Sequence, residues 1–192
     1  LLTGWTCRHL GDTAPGRPVT LPHDAMLAEP RTALSAGGVN TGWYEGYDYE
    51  YQRTLTVPEN ELSDTHILEF EGVYHNAEVW LNGQKAAFRP YGYTNFYVDC
   101  APFLRAGDNE LRVIARNADQ PNSRWYSGAG LYRPVQLWTA GDKHILLNGV
   151  RIRTVSLEPA VVEIRVRTSA PGTVQLMVEG LPTVRNESDG EA

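Results

Sequence analysis

The 192 residues carry 17 basic and 23 acidic side chains, a formal net charge of −6, and 42% apolar residues. This balance is ordinary for a globular chain and excludes a wholly disordered one, while the scattered Lys and Arg argue against a phosphate-binding, nucleic-acid surface. No stretch approaches the roughly 20 apolar residues of a membrane helix, and Cys7 and Cys100 leave room for one bridge and no CxxC metal or redox motif.

In chain order, the first notable segment is Leu21-Pro22-His23-Asp24-Ala25-Met26, in which a hydrogen-bonded structural His23 is the plainer reading and a ligand the sharper one. Helical periodicity is hard to find downstream; short runs rich in Val, Ile, Tyr, Thr and Trp recur between turn residues, which predicts an all-β chain. Tyr49–Val57 stops at Pro58 and His66–Phe70 stops near Gly72. Asn76 to Leu81 alternates, with Ala77, Val79 and Leu81 on one face, and runs into Asn82-Gly83. Asn-Gly is the strongest short hairpin signal, because both central positions of a type I′ turn need positive φ. Glu110–Arg116 alternates again, with Leu111, Val113 and Ala115 turned to a core and Glu110, Arg112 and Arg116 to water. Leu131–Trp138 is the next expected strand.

A boundary is expected at Thr139–Lys143, dividing the chain into residues 1–141 and 142–192. Beyond it Val150–Val155, Val161–Arg167 and Thr173–Val178 form a fresh alternating series of about 50 residues, half of the ~100 in an immunoglobulin-like sandwich. The second domain is therefore expected to be incomplete. Pro182–Ala192 reads as a polar loop or a disordered end.

Glycoside cleavage needs two carboxylates at a defined spacing, but any pair chosen here, such as Glu69 and Glu71, reads first as a solvated strand face. No GxSxG, P-loop or HExxH occurs and the five histidines lack ligand spacing, so no catalytic set, metal or cofactor is expected. The aromatics are more informative. Trp43, Tyr44, Tyr47, Tyr49 and Tyr51 crowd one segment, Tyr91, Tyr93, Phe96 and Tyr97 another, and Trp125, Tyr126 and Tyr132 a third. Most of them would fill a sandwich core; the remainder could stack on sugar rings.

Four motifs in fixed order carry a resemblance. Leu21-Pro22-His23-Asp24-Ala25 resembles the LPHD segment of glycoside hydrolase family 2, and Phe70 to Gly83 (FEGVYHNAEVWLNG) is similar to that family's strand–hairpin block. Arg89 to Phe96 follows where the family has a G-Y-x-x-F segment, and Ser123 to Arg133 (SRWYSGAGLYR) resembles the signature near the end of its first domain. His75 departs from the commoner residues at its place.

The resemblance implies a jelly-roll-like β-sandwich followed by a partial immunoglobulin-like β-sandwich. It further implies a non-catalytic N-terminal module of a retaining exo-β-galactosidase-type hydrolase, packed on a (β/α)₈ barrel of the same chain that holds the catalytic glutamates. A barrel needs about 250 residues, so the fragment alone is expected to be inactive. β-Glucuronidase, β-mannosidase and a free-standing carbohydrate-binding module stay open as alternatives, and homo-oligomer contacts are a third role. The terminal β-galactoside is the expected ligand of the whole enzyme, with no nucleic acid and no membrane. By the family's G-[IL]-x-R ending, Arg124 falls where several relatives have a sugar-contacting Asp. Asp24 and Arg124 are the expected substrate-binding residues, with an ion pair between them as the competing reading. Trp125 is expected in a core or at a domain interface. Low cysteine content and the lack of a charged, apolar leader favour the cytoplasm.

Overall fold

The computed structural model describes residues 1–190. It divides into two compact units, residues 1–139 and the part from Ala140 onward. The first unit is built from β1 (Trp5–His9), β2 (Arg17–Val19), β3 (Tyr49–Val57), β4 (Thr65–Phe70), β5 (Ala77–Leu81), β6 (Gln84–Arg89), β7 (Phe96–Asp99), β8 (Gly107–Ala115) and β9 (Val135–Ala140). Four single 3₁₀ turns interrupt the loops, and none of the described helices is long and apolar enough to cross a membrane. Six strands form one sheet in the order β2-β1-β3-β8-β5-β6, and three form another in the order β7-β4-β9.

A single core lies between the two sheets. The larger sheet contributes Trp5, Tyr51, Val79, Leu81, Leu111 and Val113, and the smaller Leu68, Phe70, Val98 and Val135. This follows from strand alternation: along β3, Tyr49, Tyr51, Leu55 and Val57 are buried while Thr54 and Thr56 are exposed. The all-β, jelly-roll-like sandwich expected from sequence is what the structure shows. Asn82 and Gly83 both have positive φ, 49° and 78°, and close the β5–β6 hairpin as Asn-Gly predicts.

Charged side chains cover the outer face of the larger sheet as a ladder rather than as separate solvated groups. Glu50, 3% exposed, receives Arg8 from β1 and Arg112 from β8. Glu78 receives Lys85 and Arg116, and Arg116 also reaches Asp48. The Trp80 ring lies under the Arg112 and Lys85 cations, 5.0 and 5.1 Å from its centroid. The two glutamates tolerate burial because each has two cationic partners.

Several expectations from sequence are corrected. The strand expected from Leu131 begins at Val135, because Pro134 has no N–H to give a ladder and Gly130, at φ 97°, turns the chain away. Glu69 is not solvated: it is 8% exposed and accepts Asn95 Nδ2 and Trp138 Nε1. Of the two places expected for Trp125 the core is excluded, since the residue is 58% exposed. Cys7 and Cys100 are both buried free thiols, and burial pushes each up to about 11.

The second unit contains β10 (Ile145–Leu157), β11 (Ala160–Thr168), β12 (Gly172–Leu176) and β13 (Val184–Ser188), paired as two antiparallel hairpins. Val150 faces Val166 and Ile152 faces Ile164 across β10–β11, while Arg153 faces Glu163 on the alternate register. Part of the stretch read as a polar loop is β13, since Thr173 and Glu187 pair across β12–β13 and share a side-chain hydrogen bond. The end of that stretch, residues 191–192, lies outside the described residues.

Candidate functional site

Loop segments well separated in sequence meet at one region of the first unit, and Asp24 ties two of them together. It caps the 3₁₀ turn Ala25–Ala28, its Oδ1 accepting Met26 N at 3.1 Å. The same Oδ1 accepts Ala129 N at 3.0 Å, and Oδ2 accepts the Tyr126 hydroxyl at 2.6 Å. Main-chain bonds run in parallel: His23 N donates to Leu131 O and Ala25 N to Ala129 O. Gly128, at φ 68°, passes so close to the carboxylate that a side chain there would collide with Asp24.

The segment 117–130 is anchored from beneath by amides. Asn117, fully buried, donates Nδ2 to Gly128 O and accepts Gln120 Nε2 and Asn122 Nδ2 on its Oδ1. Asp48 fixes the start of the segment by accepting the N–H groups of Asn117 and Ala118. The Tyr74 hydroxyl donates to Asn122 Oδ1 at 3.1 Å, bringing in the loop after β4. Burial lowers the basicity of His75, whose Nε2 lies 3.2 Å from Asn122 Nδ2, although Asp48 and Asp119 oppose the shift.

Above this frame Trp125, Tyr126 and Tyr91 are exposed, while Tyr93 and Tyr44 are half-buried. Trp125 donates Nε1 to the Tyr93 hydroxyl at 2.9 Å, and Tyr93 sits edge-on to Tyr74 and Tyr91 at 5.3 and 5.7 Å. Beside Asp24, Tyr126 lies 6.1 Å from the Tyr44 ring, which carries the Arg31 guanidinium at 4.7 Å. Burial and the Asp24 carboxylate together raise the Tyr126 phenol well above its ordinary value, so it remains a donor at neutral pH.

Asp24 and Arg124 thus lie on loops that are joined, but among the described residues no ion pair connects them. Arg124 is exposed, two residues from the tyrosine that Asp24 holds. Three backbone and phenol donors occupy Asp24; a carboxylate has about four acceptor sites, so Oδ2 keeps one for a further hydroxyl. His23 Nδ1 lies 2.8 Å from the buried Tyr51 hydroxyl, and burial lowers its pKa with Asp24 opposing. Asn117 and Asn122 are not singled out by the sequence, and Tyr126 is marked there only as one of an aromatic cluster, not as the partner of Asp24. The polar run Asn117-Ala118-Asp119-Gln120-Pro121-Asn122 is the available signal for the two asparagines.

A separate concavity of about 260 Å³ lies against β1 and includes His9, Glu29 and Tyr49. These three residues bond to one another: His9 Nε2 is 2.7 Å from Glu29 Oε1, which also accepts the Tyr49 hydroxyl at 3.3 Å. Among the described residues no group of three or more His, Cys, Asp or Glu could hold a metal ion.

Comparison with known proteins agrees with this geometry. Residues 17–156 match the family model described as glycosyl hydrolase 2 galactose-binding domain-like. The β-galactosidase BoGH2A of Bacteroides ovatus is 37% identical over 161 residues, covering 78% of this chain and 19% of that protein. A glycosyl hydrolase family 2 member from Bacteroides cellulosilyticus superposes with a TM-score of 0.81 at 26% identity, over 98% of this chain and 28% of that one. An FMN-binding β-glucuronidase of Faecalibacterium prausnitzii L2-6 superposes at 0.72 and 26% identity, over 91% and 29%. The chain spans less than a fifth of the length of the curated relatives heading these matches. With a family model covering most of its length and a relative above 30% identity, the chain belongs to glycoside hydrolase family 2, as a galactose-binding-domain-like N-terminal region.

Proposed function

We propose that this chain is the non-catalytic N-terminal module of a retaining exo-β-galactosidase-type hydrolase, shaping the rim of an active site on a (β/α)₈ barrel of the same protein. The observation that carries the reading is the Asp24 lock, which fastens the 24–28 turn to the 126–130 loop and holds polar and aromatic side chains outward from a rigid sandwich. A site built this way positions substrate groups with little loss of conformational entropy on binding. Asp24 Oδ2 and the free guanidinium of Arg124 are assigned to hydroxyls of the terminal sugar. The similarity to BoGH2A favours a β-galactoside. A β-glucuronide is the second reading, favoured by the likeness to a β-glucuronidase structure.

Hydrolysis of chromogenic β-galactoside, β-glucuronide and β-mannoside by the full-length enzyme tests the proposal, with wild type compared against Asp24→Ala and Arg124→Ala. Cleavage of the galactoside is the expected result, slowed by Arg124→Ala at unchanged thermal stability and by Asp24→Ala at a temperature where that less stable variant is still folded. Equal turnover in all three proteins would leave the module a scaffold without substrate contacts.

A further inference from the structure

The exposed strip beyond the Asp24 lock has a charge opposite to that of the chain. None of the 23 acidic residues lies between Glu78 and Asp99 or between Asp119 and Asp142, the two stretches that supply Tyr91, Tyr93, Trp125 and Tyr132. Those stretches carry Arg89, Arg124 and Arg133 instead. Among the described residues none of these arginines pairs with a carboxylate side chain. Arg89 donates to Thr94 Oγ1 while its buried Nε has no partner; Arg133 lies over the Tyr132 ring, 5.3 Å from its centroid, and donates Nη1 to Glu71 O at 3.5 Å.

The strip is also pre-ordered. Trp125 and Tyr91 are 58% and 57% exposed, yet the indole N–H of Trp125 is fixed by Tyr93, and the Tyr132 hydroxyl donates to Gly92 O at 2.7 Å, joining the two stretches. An indole whose only polar edge is satisfied offers an apolar face for stacking. Guanidiniums without a carboxylate partner beside such a face present their remaining donors to carboxylate or sulfate oxygens.

We infer that this strip is a binding site for an anionic saccharide, a pyranose stacked on Trp125 whose carboxylate or sulfate is taken by the surrounding arginines. The site shares Arg124 with the rim contacts proposed above, extends beyond Asp24, and adds a selectivity for acidic glycans to the module. It rests on the carbohydrate-handling role proposed above only for the class of ligand, and needs neither Asp24 nor turnover.

Affinity electrophoresis of the 192-residue chain through gels holding polygalacturonate, a sulfated galactan or a neutral galactan tests it. Retardation by one or both anionic polymers but not by the neutral one is expected, and the difference between the two assigns the anion. Trp125→Ala, and Arg89→Gln, Arg124→Gln and Arg133→Gln together, should each weaken retardation at least tenfold with an unchanged circular dichroism spectrum. A charge-matched control, Arg17→Gln with Arg151→Gln and Arg185→Gln, should retain it. No retardation of wild type, equal retardation by neutral galactan, or equal loss in the control would overturn the inference. Because binding is read without hydrolysis, its failure is distinguishable from failure of the rim contacts.

Discussion

Tyr126 donates its hydroxyl to Asp24 Oδ2 at 2.6 Å across 102 residues of sequence. The other oxygen of Asp24 takes two backbone N–H groups, one from its own turn and one from the loop that follows Tyr126. One carboxylate therefore sets the spacing between two loops, and the geometry of everything they present depends on it. A residue in this position has a structural role that substitution must separate from the binding role proposed for it.

Asp24→Ala removes a cap and leaves Ala129 N without its acceptor, a loss of about 2–3 kcal/mol. Asp24→Asn keeps an oxygen for the two N–H groups and should lose about 1 kcal/mol, as should Tyr126→Phe. Urea denaturation followed by tryptophan fluorescence reads the series. If Asp24→Ala unfolds at the wild-type midpoint, the lock contributes nothing to the fold.

Gly130→Ala should be among the most damaging single substitutions in the first unit. The residue is at φ 97°, and a Cβ there would overlap the hydroxyl of Tyr51, a fully buried side chain that also contacts His23. Backbone strain and a displaced core tyrosine together imply roughly 3–5 kcal/mol. Gly83→Ala, at φ 78° with open space around it, should lose only about 1 kcal/mol. A comparable thermal shift in both variants would mean that the Tyr51 contact is easily relieved.

The contrast between these glycines shows what sequence could and could not reveal. The turn at Asn82-Gly83 was legible because positive φ is a local property with a local signature. The core alternation in β3, β5 and β8 was legible for the same reason, a period of two read along one segment. Gly130 and Asp24 act across strands, and no spacing within either segment announces Tyr51 or Tyr126 as the partner. The 3₁₀ turns and the short β2 escaped for want of length to establish any period. Glu69 was misplaced because its hydrogen-bond donors, Asn95 and Trp138, arrive from β7's approach and from β9.

Stability should fall in two steps as pH decreases. Burial holds His23 and His75 below the ordinary histidine value in the folded chain. The unfolded chain therefore binds these protons first, near pH ~6.5, and stability present above that pH is lost progressively below it. Burial raises Glu69 and Glu78, but hydrogen bonds from Asn95 and Trp138, and from Lys85 and Arg116, outweigh it and leave both folded values depressed. Their contribution is present above the unfolded value of ~4.3 and disappears as pH falls through the folded one. Denaturation midpoints at pH 8, 5.5 and 3.5 should decline in that order, and His75→Gln should flatten the upper step alone. A midpoint that is constant from pH 8 to 5.5 would contradict the histidine assignment.

Hydrogen exchange should separate the two units sharply. In the first, β3 and β8 pair over nine residues and their inward side chains are almost wholly removed from water. In the second, only Gly149 and Thr168 are buried among the described residues, while Ile152, Val155, Leu157 and Val162 are more than half exposed. Two-stranded hairpins without a covered apolar face are marginal in water, and opening them exposes little new surface, so their amides open at low free-energy cost. Amides of Val113 and Tyr51 should require near-global unfolding to exchange, whereas those of Ile152 and Val174 should exchange at least a hundredfold faster. Protection in β10–β13 equal to that of β3 would show that the apolar side chains of the second unit are covered in solution, and the first candidate cover would be a second copy of the chain, recognisable by a concentration dependence of the exchange.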